Sequence, residues 1–210
     1  MMTGIKQPAA SILAKTVSVL FHPLLMPFYG LMIIISAPTL FDFIPSEIKK
    51  LLLFVVFVNN VALPLLMLVY LRFRKMISSN VIDNREERML PLALTTFFYF
   101  VTVYIFLKYR IPVFIKSFFL SAALISLTIM VINFWFMISI HAAGAGALLA
   151  TVLVLSVRMH ASLTLLLIPV VLIAGSVLSA RLYLNSHTPR EAWFGFLLGF
   201  AVTALCLFIF

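Results

Sequence analysis

A single cysteine in 210 residues rules out an intrachain disulfide and any cysteine-held metal, and that residue, Cys206, sits inside the last apolar run. Acidic side chains are also scarce. Six Asp and Glu stand against fifteen Lys and Arg, and they form no Asp-rich or Cys/His ligand set that would call for an essential metal. The chain has no polar stretch long enough for a separate soluble domain, and no internal repeat, low-complexity tract or soluble linker. Its first residues carry Lys6 and Lys15 ahead of a long apolar run but offer no small-residue cleavage site, so this segment is expected to be retained.

What is abundant is hydrocarbon. Apolar residues make up 64% of the chain, charged residues only 10%, and mean hydropathy is +1.22, far outside the soluble globular range. The chain reads as an integral membrane protein. A formal net charge of +9 could point to nucleic acid, but the cations are spread over short loops beside apolar segments. There they act as topology signals and headgroup contacts, so the expected partner is the membrane surface and not nucleic acid.

Apolar spans occupy about 16–37, 51–73, 89–107, 117–140, 142–157, 161–182 and 192–210. The expected fold is all-α, a polytopic transmembrane bundle of six to seven helices forming one domain, 1–210. His22, Pro23, Pro27 and Gly30 predict that the first span is broken or partly re-entrant, which would leave six crossings. Asn59, Asn60 and Pro64 in the second span are expected to face neighbouring helices.

Three polar islands interrupt the apolar pattern, and helix alternation predicts that all three reach one membrane face. In the last, Thr188, Pro189 and Glu191 have the form of a helix start, with His187 just outside it. Backbone N–H groups at that helix end favour an anion, and Arg181 six residues upstream can pair with one, so a phosphate suits the spot. His187 is the expected nucleophile and Glu191 the carboxylate that orients it. In the second island, Ser139 and His141 lie beside Gly144 and Gly146, and His141 can protonate a leaving alkoxide or phosphate. In the first, Arg85 and Arg88 stand three residues apart near a helix start, where both can touch phosphate oxygens. Each residue also has a plainer reading. Glu191 can serve only as a cap, Arg181 can snorkel, and His141 can bond between helices, while Arg85 and Arg88 can pair with Asp83, Glu86 or Glu87.

In these residues the chain resembles the membrane branch of the type-2 phosphatidic acid phosphatase superfamily, related to vanadium haloperoxidases. Arg181, His187 and Glu191 have the spacing of that family's third motif, with Ala180 in place of Ser and Glu191 in place of Asp. Ser139 and His141 match its second motif, with Ile138 and Ile140 in place of Pro and Gly. Arg88 stands for the arginine of the first, with Val81 where a lysine is expected and two residues between Arg88 and Pro91. The resemblance covers roughly residues 80–200. It implies a metal-independent lipid phosphatase with no cofactor: His187 attacks phosphorus, His141 protonates the departing oxygen, and Arg85, Arg88, Arg181 and Ser139 hold the phosphoryl group. It also implies a bacterial inner (cytoplasmic) membrane, with the site facing the periplasm or exterior. The basic residues themselves do not decide sidedness once the site arginines are set aside. The substrate would be a lipid phosphate, with phosphatidate, phosphatidylglycerol phosphate, undecaprenyl diphosphate and a lipid A phosphate all presenting similar anions. Two rivals remain: a prenyl-type transferase, and a non-catalytic lipid carrier or scramblase.

Overall fold

A computed structural model describes residues 8–75 and 85–209, with side chains over 9–75 and 88–209. Among the described residues all regular structure is helical. The helices are α1 (Pro8–Leu20), α2 (Met26–Ser36), α3 (Ser46–Phe73), α4 (Arg85–Lys108), α5 (Val113–Ile132), α6 (Ile140–Arg158), α7 (Thr164–Tyr183) and α8 (Pro189–Ile209). In lipid an apolar segment must satisfy its backbone internally, which is why these runs can only be helices. From α3 to α8 each is long and apolar enough to cross a membrane. Large apolar side chains such as Phe54, Tyr104, Leu165 and Phe208 stand exposed around the bundle, where in a soluble protein they would drive aggregation.

The first apolar span is broken. Helix α1 ends at Leu20, His22 accepts a hydrogen bond on Nδ1 from the Leu24 amide at 3.3 Å, and α2 restarts with Pro27 in its first turn. The second span is one continuous helix with a π-turn at Phe57–Ala62, just before Pro64, whose ring excludes a normal turn. Asn59 and Asn60 are buried there and face α4. Asn59 Nδ2 donates to the Phe98 carbonyl at 2.7 Å and to Thr102 Oγ1, and Thr102 Oγ1 donates to Asn60 Oδ1.

The span expected at 117–140 is shorter than its hydropathy suggests. Helix α5 stops at Ile132, and the apolar residues that follow form a link to α6. Phe134 and Trp135 lie exposed on that link, as aromatic rings do at a membrane interface. Helix α3, in contrast, begins at Ser46, before its apolar run, because Glu47 in its first turn suits a helix N-terminus.

Helices α6 and α8 make the closest contact in the bundle. A side chain at Gly146 would collide with the Phe196 carbonyl, one at Gly195 with the Ser139 carbonyl, and one at Gly199 with the Ala143 carbonyl. Backbone therefore rests on backbone, the packing that small residues permit between membrane helices. This contact fixes the N-terminal ends of α6 and α8 side by side, and the Ser139 amide donates to the Glu191 carbonyl at 3.3 Å. At the far end of the bundle, Arg158 Nη1 donates to the Leu207 and Phe208 carbonyls and closes the C-terminus of α8.

Candidate functional site

The turn between α7 and α8 is built by a Schellman motif. Asn185 takes the left-handed conformation at φ 53°, its amide bonds the Leu182 carbonyl at 3.0 Å, and the Ser186 amide bonds the Arg181 carbonyl at 3.2 Å. This reversal brings Arg181, in the last turn of α7, and His187, just ahead of α8, to one cavity. Helix α8 then starts with a capping box. The Glu191 amide donates to Thr188 Oγ1 at 3.3 Å, and the Thr188 amide donates to Glu191 Oε2 at 3.1 Å. The same Oε2 lies 3.0 Å from His187 Nδ1. A carboxylate accepts only, so Nδ1 carries the proton and Nε2 presents its lone pair.

The His187 side chain is buried, 8% exposed, and its pKa is lowered. Burial is the largest cause, and the nearby Arg181 and Arg88 push it the same way. The hydrogen bond and charge of Glu191 oppose the shift. The shift favours the neutral imidazole, the form whose ring nitrogen has a free lone pair.

Arg88, His141, Arg181 and His187 together line a cavity of about 400 Å³. Arg88 is buried, 7% exposed, and its Nη2 donates to the Ile138 carbonyl at 2.6 Å, which ties the start of α4 to the link before α6. His141 is half-buried, with Nε2 3.2 Å from the Ser18 carbonyl. A carbonyl accepts a hydrogen bond, so Nε2 carries N–H and Nδ1 is the ring atom left to take up or release a proton. His187 and Ser186 also border a shallow surface depression beside Thr188 and Pro189.

Ser139 is not on the cavity wall. It is fully buried, and its hydroxyl accepts the Ala142 amide at 3.4 Å as the N-cap of α6. The Arg85 side chain lies outside the described residues, as do Asp83 and the side chains of Glu86 and Glu87, the acids a transferase reading would need. Among the described residues no three His, Cys, Asp or Glu side chains group as metal ligands would.

Two contributors were not foreseen. His22, at the α1–α2 break, lines the cavity with its ring centroid 5.5 Å from that of His141, nearly perpendicular to it. Ser18 supplies the carbonyl that orients His141. Both partners lie over a hundred residues from His141 in sequence, and only the proline-flanked break hinted that the N-terminal segment turns inward.

Taken together, two guanidinium groups and a carboxylate-backed imidazole line one cavity with apolar side chains, an arrangement suited to an anionic head on an apolar body. No family model, curated protein or solved structure matches this chain.

Proposed function

We propose that this membrane protein is a phosphatase that removes phosphate from a lipid phosphate or polyprenyl diphosphate through a phosphohistidine intermediate. The observation that supports the reading most is that His187, backed by Glu191, lines the same cavity as Arg88, Arg181 and His141. It agrees with the resemblance to the type-2 phosphatidic acid phosphatases carried by Arg181, His187 and Glu191.

In this mechanism Arg88 and Arg181 hold the phosphoryl oxygens and offset charge that builds in the transition state. The Nε2 lone pair of His187 attacks phosphorus and forms the N–P bond. The P–O bond to the lipid breaks as the departing oxygen takes the Nδ1 proton of His141, which enters this step protonated at both ring nitrogens and leaves it neutral. Glu191 stabilises the positive ring that results. Water then attacks the phosphohistidine, the N–P bond breaks, and the proton lost by water returns to His141. The products are inorganic phosphate and the dephosphorylated lipid. By the same resemblance the site faces the periplasm or exterior of a bacterial inner membrane.

The test is phosphate release by purified protein in detergent with EDTA, over phosphatidate, phosphatidylglycerol phosphate, undecaprenyl diphosphate and a lipid A phosphate. Turnover of at least one substrate is expected, and its loss in His187→Ala with the fold intact. Turnover retained by His187→Ala, or strict magnesium dependence, would remove this mechanism. Lipid transport in vesicles that survives the substitution would instead indicate a carrier.

A further inference from the structure

Pro23 has no amide hydrogen and disfavours a helical conformation at the residue before it, so α1 cannot run on through His22. The turn that results is tied to α6 on both sides. Ahead of it, the Ser18 carbonyl meets His141 Nε2 at 3.2 Å. After it, Met26 packs on Gly144, where a side chain on the glycine would collide with Met26 Cγ. His22 is held between these two points. It is solvent-exposed, it lines the cavity together with Arg88, Arg181 and His187, and its ring centroid lies 5.5 Å from that of His141.

The main chain fixes the chemistry of this ring. Nδ1 accepts the Leu24 amide at 3.3 Å, and a ring nitrogen that accepts carries no proton. The proton of the neutral ring is therefore on Nε2. A second proton would have to displace the Leu24 amide, and it would add a charge to a cavity that already holds Arg88 and Arg181. His22 is thus a neutral ring with one N–H to give. Among the described residues no group accepts it.

We propose that His22 is a phosphate-binding residue, whose Nε2–H donates to an oxygen of the phosphoryl group held by Arg88 and Arg181. The proposal rests on reading the cavity as a phosphate site. No proton changes hands at His22: it gives a hydrogen bond throughout, and proton transfer stays with His141. The N-terminal segment, which lies outside the resemblance carried by residues 80–200, thereby gains a part in the site.

Two substitutions separate the two ring nitrogens. His22→Asn puts an oxygen near the position of Nδ1, where it can accept the Leu24 amide, and leaves the position of Nε2 empty. His22→Gln reaches the position of Nε2 with an amide N–H. Binding is measured apart from turnover, by calorimetry on the full chain in nanodiscs. The probes are inorganic phosphate and a phosphonate analogue of phosphatidate that cannot be hydrolysed, and the tighter of the two tells whether the anion is free or lipid-borne. His22→Asn should weaken both by about tenfold or more, the loss of a hydrogen bond to a charged group, with its melting temperature unchanged. His22→Gln should recover most of that loss. If His22 only shapes the turn, the order reverses. Binding by His22→Asn as tight as that of the native protein, or by His22→Gln no tighter than by His22→Asn, would overturn the proposal. Failure of the native protein to bind either probe would overturn the phosphate site itself, whereas binding with the expected order but no turnover would remove the phosphatase and leave the role of His22 standing.

Discussion

Glu191 holds two positions at once, and Glu191→Gln pulls them apart. As the third residue of a capping box it accepts the Thr188 amide, and glutamine fills that place in such boxes nearly as well, so thermal stability should barely move. As the partner of His187 it supplies a charge-assisted bond at 3.0 Å to Nδ1, which a neutral amide cannot replace. Hydrogen bonds to charged groups contribute about 1.5–3 kcal/mol, so kcat/KM should fall by about ten- to two-hundredfold. The pH profile adds an independent sign. Attack needs neutral His187, so activity is present above its pKa and lost as pH falls through it. Burial, Arg181 and Arg88 lower that pKa, so the acid limb of the native protein should lie below the ordinary histidine value of about 6.5. Glu191 opposes the lowering, so Glu191→Gln should move the limb further down. The assay is kcat/KM for phosphate release against pH, with thermal melting alongside. A melting temperature that drops while kcat/KM and the acid limb stay put would mean that Glu191 is only a cap, and the reasoning would fail.

Arg88→Lys keeps a cation but loses the fork that reaches the Ile138 carbonyl and a phosphate together, so kcat/KM should fall by about tenfold or more, read in the same assay. Gly199→Val drives a side chain into the Ala143 carbonyl, and should cost about 1–3 kcal/mol or more by melting and reduce phosphate release with it. Thr102→Val removes the hydroxyl shared by Asn59 and Asn60 across α3 and α4, and should cost about 1 kcal/mol in unfolding from bilayer-like micelles with kcat/KM unchanged.

Hydropathy located the helices because an apolar run in lipid has one way to satisfy its backbone. It misplaced the end of α5, since Phe134, Trp135 and Phe136 are as apolar in a link as in a helix. It also missed the first turns of α3, where Glu47, Lys49 and Lys50 read as loop. Thr188, Pro189 and Glu191 announced the start of α8 because capping chemistry is local. Residues that act across the bundle left no such mark. Ser139 carries a hydroxyl suited to a cap or to a phosphate, and only its burial and its bond from Ala142 tell which it serves here. The bonds of His141 to Ser18 and of Arg88 to Ile138 are set by tertiary packing and have no local signature.

Because α6 and α8 meet through main chain at Gly146, Gly195 and Gly199, the spacing between the helix that bears His141 and the one that bears Glu191 does not depend on any rotamer. Side chains on the lipid-facing surface can drift from one apolar type to another without disturbing it, while a single methyl group at any of the three glycines would wedge the two helices apart.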